Sequence, residues 1–308
     1  METSKYTEDI VSQWRETWSA KKLQDLIASC ENDEVGLPYF LKHFSKEGKI
    51  LECGCGLGQW LVYLQTLGYQ TAGVEIVPDC IAVHKRYYPD SEIEVGDVRS
   101  LPFPDNAFAG YISIGVLEHM IEGPRETLAE MKRVLRPGGT AVITVPAFNY
   151  FLRAWYPIRQ ILVDLVKYNP WARRAMGKSP LLKNTRKTDA ELQELKSQLL
   201  PQFWPSIRID PDKGPLFIEY KVKRGAIENY LNDLDLEIVE VAPIFHPYVF
   251  SDVCGKVFFA NPGSDVESPR LNIPGRALNA IFKFLSPHFF NYLYLYVVRK
   301  KGKYSSKA

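Results

Sequence analysis

The sequence predicts a doubly wound α/β fold, a largely parallel sheet with helices on both faces. Three observations carry this prediction. Short apolar runs of strand length alternate with helix-length stretches from Lys49 to Val145. The first run ends in a glycine-rich turn that leads straight into an apolar helix. The runs are apolar at successive positions, as strands buried on both faces of a sheet must be.

Each element follows from local chemistry. Residues 1–45 are mostly polar, with Ile10, Trp14, Trp18, Leu23, Leu26 and Ile27 at helical spacing before a break at Gly36-Leu37-Pro38, which predicts two or three amphipathic helices. Residues 46–146 form the predicted sheet core, with strands at Lys49 to Cys53, Gln70 to Glu75, Ile93 to Val95, Gly110 to Ile114 and Ala141 to Val145. Between them the spacing predicts helices at Gln59 to Thr66, Pro78 to Tyr87 and Pro124 to Val134, the last closed by the helix stop Arg136-Pro137-Gly138-Gly139. From 147 to 224 the alternation lapses into a stretch rich in aromatic and basic residues and prolines, read as an insertion or cap. Residues 225–308 complete the sheet, with a helix near Lys223 to Leu234, a strand at Leu236 to Ile244, an amphipathic helix around Arg276 to Leu285 and a strand at Tyr292 to Val298.

Bulk properties narrow the function classes. With 38 Lys and Arg against 36 Asp and Glu in 308 residues, the chain lacks the field of an obligate nucleic-acid binder. The Met1 start has no signal-peptide core, and no apolar run approaches the roughly 20 residues of a spanning helix, so a soluble cytoplasmic protein is expected. Cys30, Cys53, Cys55, Cys80 and Cys254 lack paired CxxC spacing, against both a disulfide framework and structural zinc. Nothing in the pattern sets an oligomeric state.

The chemistry concentrates at strand ends. In Glu52-Cys53-Gly54-Cys55-Gly56-Leu57-Gly58, glycines permit a sharp turn and close ligand approach, and the following helix offers free N–H groups. A dinucleotide fingerprint is disfavoured, because the sixth position from Gly54 is Gln59. The Glu52 carboxylate suits a cationic ligand group better than a pyrophosphate. Glu75 closes the second strand, where a carboxylate can accept both hydroxyls of a ribose, and Asp97 follows the third, where it can accept an exocyclic adenine amine while the next N–H donates to the ring.

The blocks LECGCGLG (51–58), AGVEI (72–76), GDVRSLPFPDNAFAGYISIGVLEHM (96–120) and RVLRPGGTAVITVP (133–146) resemble, in order, the class I S-adenosylmethionine-dependent methyltransferases, especially small-molecule enzymes related to the ubiquinone pathway. The resemblance covers about a hundred contiguous residues. It implies a Rossmann-like seven-stranded sheet whose last strand is antiparallel, with S-adenosylmethionine as cofactor and S-adenosylhomocysteine as product. By the same resemblance Glu52, Gly54, Gly56 and Gly58, with Cys53 and Cys55 between them, hold the methionine end. Glu75 with Ile76 holds the ribose, Asp97 with Val98 the adenine, and Ser113 and Ile114 border the sulfonium.

Some relatives hold a divalent metal with a Glu-x-x-Glu-His segment, but here the first glutamate is Gly115, so no metal is expected. His119 is left as a candidate general base or as a structural hydrogen-bonding residue. An Asn-Pro-Pro-Tyr motif for nucleobase amines is missing, which disfavours an RNA methyltransferase. The expected acceptor is a small molecule or a lipid- or glycan-linked group held under the 147–224 cap.

In the span 151–187, Arg153, Arg159, Lys167, Arg173, Arg174, Lys178, Lys183, Arg186 and Lys187 are opposed only by Asp164. Its apolar residues Ile158, Ile161, Leu162, Leu165 and Val166 share a helical face. Peripheral membrane contact and packing on the core are the two readings of that face, with packing favoured. A catalytically silent, cofactor-binding membrane module is the competing function.

Overall fold

The computed structural model describes residues 5–168, 171, 185–210, 214–250, 255–260 and 270–302. Three N-terminal helices, α1 (Lys5–Ser19), α2 (Leu23–Cys30) and α3 (Leu37–His43), precede the sheet. The sheet core alternates β1 (Lys49–Cys53), α4 (Gln59–Thr66), β2 (Gln70–Glu75), α5 (Pro78–Tyr87), β3 (Ile93–Val95), β4 (Phe108–Ser113), α6 (Arg125–Val134) and β5 (Leu135–Pro146). Then follow α7 (Tyr150–Tyr168), α8 (Thr185–Gln198), β6 (Trp204–Asp210), β7 (Gly214–Lys221), α9 (Arg224–Asp233), β8 (Leu236–Ile244), α10 (Ile273–Leu285) and β9 (Leu293–Lys300).

Seven strands form one sheet in the order β3-β2-β1-β4-β5-β9-β8, with β9 antiparallel to both of its neighbours and the pairs among β1 to β5 parallel. Strand pleating sends adjacent residues to opposite faces. Leu51, Tyr111, Ile143 and Tyr296 therefore join one core cluster, while Ile50, Ile112, Val142 and Leu295 join another with Phe40, Phe44 and Trp60. The strand order reverses between β1 and β4, and a crevice opens beyond the carboxyl ends of strands at such a switch point.

Two readings of the sequence need correction. The segment Arg136 to Gly139 does not separate helix from strand, because β5 already begins at Leu135. Partners shift from Phe108↔Leu135 to Gly110↔Thr140, so these residues bulge out of the ladder, with Gly138 at φ +79°. The stretch read as lapsed alternation holds an antiparallel hairpin, β6 paired with β7. Pro205 and Pro215 hid it, because proline argues against a central strand but is tolerated in a two-stranded ribbon with unpaired outer edges. The hairpin base is tied to the sheet by Val222 N donating to Pro146 O (2.8 Å) and Phe148 N donating to Val222 O (2.9 Å).

Of the α7 face read from apolar spacing, the side chains of Leu162, Leu165 and Val166 lie outside the described residues. Leu152 is buried, and Phe151 and Tyr156 pack against Phe290 and Trp204, whereas Ile158 and Ile161 are exposed. Of the basic residues read in this span, Arg173, Arg174, Lys178 and Lys183 lie outside the described residues, as does Cys254.

Candidate functional site

The glycine turn after β1 is held by its neighbours. Gly54 N and Cys55 N donate to Val74 O (2.8 and 3.1 Å), and Gly58 N donates to Cys55 O (2.8 Å). Gly56 and Gly58 sit at φ +55° and +76°, conformations that side chains disfavour. The Glu75 carboxylate braces the turn from β2, accepting Gly56 N at Oε2 (2.8 Å) and Val77 N at Oε1 (3.0 Å). Burial pushes the Glu75 pKa up, and these N–H groups oppose that shift. Each oxygen keeps a lone pair for a further donor.

A cavity of about 270 Å³ opens beyond these strand ends. Gly54, Glu75, Ile76, Asp97, Val98 and Ile114 line it, together with Gly115, Val116, His119, Met120, Arg99, Trp14 and Trp18. Two of the three strand-end acids thus meet in one space, flanked by the apolar side chains of Ile76, Val98 and Ile114. A carboxylate with spare lone pairs and flanking apolar walls fits the ribose and adenine of the adenosyl ligand.

Glu52, Cys53, Cys55, Gly56, Gly58 and Ser113 are not among the residues lining that space. The Glu52 carboxyl is buried, with Oε2 unpartnered among the described residues, and burial followed by the nearby Glu75 charge drives its pKa well up. Gly56 is covered by α1, since a Cβ built there would lie 2.2 Å from the Trp18 ring. Asp97 is also engaged: Arg99 N (2.8 Å) and Nε (3.1 Å) donate to Oδ1, while Nε (3.1 Å) and Nη2 (2.7 Å) donate to Oδ2. An adenine amine reaching Asp97 must therefore share or displace an Arg99 donor.

Sequence reasoning missed several contributors, Arg99 and Met120 among them. Trp14 and Trp18 read as the apolar side of an amphipathic helix, yet Trp14 stacks edge-on against the His119 ring (4.9 Å, 83°) and Trp18 roofs the glycine turn. His84 donates from Nδ1 to Leu57 O (2.8 Å), and a Cβ on Gly58 would lie 2.5 Å from that nitrogen. Its signal was a histidine within an otherwise solvent-facing helix turn, in α5. Glu219 comes from the unforeseen hairpin.

His119 ends a 3-10 turn, Leu117–His119, that packs against β7, and its Nδ1 donates to Ile218 O (2.7 Å). A carbonyl only accepts, so Nδ1 carries the proton. Glu118, His119 and Glu219 offer ligand atoms within 4.8 Å of one another. The Lys221 ammonium, 3.7 Å from Glu219 Oε1, already supplies positive charge to that corner, and no metal is assigned to it.

Residues 51–143 match a family model described as a methyltransferase domain. Demethylmenaquinone methyltransferase of Paenarthrobacter aurescens is 40% identical over 101 residues, 31% of this chain and 37% of the relative. That of Chlorobaculum parvum is 30% identical over 102 residues, 33% of this chain and 42% of the relative. The chain thus spans about two fifths of the length of these relatives. In fold, it is similar to a SAM-dependent methyltransferase of Methanosarcina mazei, with TM-score 0.51 and 17% identity over 86% of this chain and 98% of the other. A protein of Pyrococcus horikoshii aligns with TM-score 0.50 and 19% identity, covering 89% and 91%. At such identities these likenesses speak to fold.

Proposed function

We propose that this chain, which belongs to the class I S-adenosylmethionine-dependent methyltransferases, methylates an apolar aromatic small molecule, free or lipid-linked. The observation that carries the reading is one cavity whose lining joins the acids Glu75 and Asp97 to the apolar and aromatic side chains of Trp14, Trp18, Val116 and Met120. Bound S-adenosylmethionine supplies an already activated methyl group on a sulfonium. Glu75 accepts the ribose hydroxyls, Asp97 the adenine amine, and Ile76 and Val98 flank the ring. The acceptor lies against these apolar and aromatic side chains, under the 147–224 segment. The named substrate class of the demethylmenaquinone relatives, a quinone nucleus, has the flat apolar character such side chains would take.

Orientation supplies most of the rate, because holding two reactants in line is worth about 7–11 kcal/mol in favourable cases. With Nδ1 committed to Ile218 O, His119 takes the acceptor proton at Nε2. The test is transfer of radiolabelled methyl to a prenylated hydroquinone, a glycan and an RNA, alongside the His119→Ala variant. Labelled hydroquinone is expected, with kcat for His119→Ala lower by about 10²-fold and S-adenosylhomocysteine affinity unchanged. Label on RNA alone, or none on any acceptor despite cofactor binding, would contradict the acceptor assignment. A loss in His119→Ala below about threefold would leave that residue a structural role.

A further inference from the structure

Helix α10 turns apolar side chains in two directions. Leu278 and Phe282 face inward, where Phe282 meets Phe151, Phe289 and Phe290 (5.3, 5.3 and 4.6 Å between ring centroids). At about 100° per residue, Ile273, Ala277, Ala280, Ile281 and Phe284 fall on the opposite side as a continuous stripe. Ile273, Ile281 and Phe284 are 74%, 56% and 91% exposed, and Leu285 at the helix end is 59% exposed. A helix that only packed on the core would set charges there. Instead its cations, Arg276 and Lys283, run along one flank of the stripe, both exposed. From Ser268 to Ala308 the sequence contains no Asp or Glu, while Arg270, Arg276 and Lys283 accompany this helix.

We infer that α10 docks in the plane of an anionic lipid surface, with its apolar stripe among the acyl chains and Arg276 and Lys283 reaching the phosphates. At 13 residues the helix is about 20 Å long, too short to span a bilayer, and no described helix is long and apolar enough to cross one. A narrow apolar stripe, a cationic flank and no acid within the helix are what an interfacial helix needs: apolar burial supplies affinity, and long cationic side chains extend to the headgroups. The same charge pattern sets the lipid apart from a protein occupant, whose complementary face would have to be acidic around an apolar groove. The inference goes beyond the methyl-transfer reading and does not depend on it.

The experiment is co-sedimentation of the full chain with vesicles of phosphatidylcholine alone and of equal parts phosphatidylcholine and phosphatidylglycerol, with light scattering of the free protein. Wild type is expected to bind the mixed vesicles, more weakly as salt rises, and the neutral ones little. Ile281→Glu with Phe284→Glu should lose about tenfold or more in binding, since each removes a large apolar group from among the acyl chains. Arg276→Glu with Lys283→Glu should lose severalfold, while Ile158→Glu with Ile161→Glu on α7 stays near wild type. All six positions are exposed, and unchanged circular dichroism confirms that each variant folds. Absence of binding to mixed vesicles would overturn the inference, as would an Ile281/Phe284 variant that binds like wild type. A wild-type dimer that this variant turns into a monomer, with no vesicle binding, would overturn it in favour of a second copy.

Discussion

Gly58 meets two constraints at once, a φ of +76° and a Cβ position 2.5 Å from His84 Nδ1. Gly58→Ala is expected to lower stability by about 1 kcal/mol or more, read from the urea midpoint, because the left-handed conformation and the clash both oppose the new methyl. Glu118 adds a pH signature. Burial, its largest influence, pushes its pKa up to about 7 from an ordinary 4.5. Between those values the folded chain keeps a proton that the unfolded chain releases, so stability falls as pH rises from about 4.5 to about 7 and then levels off. Glu52 and Glu75, also raised by burial, act in the same direction. Glu118→Gln should flatten the fall in urea midpoint between pH 5 and pH 7.5; a variant as steep as wild type would contradict the assignment. Glu75 and Asp97 were legible because a strand end is a fixed place in a βα unit. That Asp97 is bound by Arg99 was not, since strand-end logic says which residue reaches the crevice and nothing about what else reaches it.

Among the elements, α1 was legible as a helix but not as a wall of the site. Its pattern gives an apolar side, and only the tertiary arrangement decides that this side meets the glycine turn rather than the sheet. Arg15 is paired with Asp79 at the start of α5, Trp14 is set against His119 and Trp18 over Gly56. Because both indoles line the cavity, adding S-adenosylhomocysteine should change tryptophan emission, and the change should vanish in Trp14→Phe with Trp18→Phe. Emission that does not respond in wild type despite calorimetric binding would show that the ligand lies away from α1. The β6–β7 hairpin was hidden for a different reason. Its prolines and half-buried residues lack the unbroken apolar signature that marked β1, β2 and β5.

At the scale of the whole molecule, the sheet core from Lys49 to Pro146 was legible because strands buried on both faces announce themselves, and the glycine turn fixed where the crevice would open. The near-balance of 38 basic and 36 acidic residues gave no hint of the acid-free stretch after Glu267, because a sum conceals its distribution. The central claim is that Glu75 and Asp97 grip one adenosyl ligand. Calorimetric titration of S-adenosylhomocysteine into wild type, Glu75→Ala and Asp97→Ala tests it most directly. Saturable binding by wild type, weakened about tenfold or more in each variant as charge-assisted hydrogen bonds are lost, is the predicted result. No binding by wild type, or equal binding by all three, would contradict it.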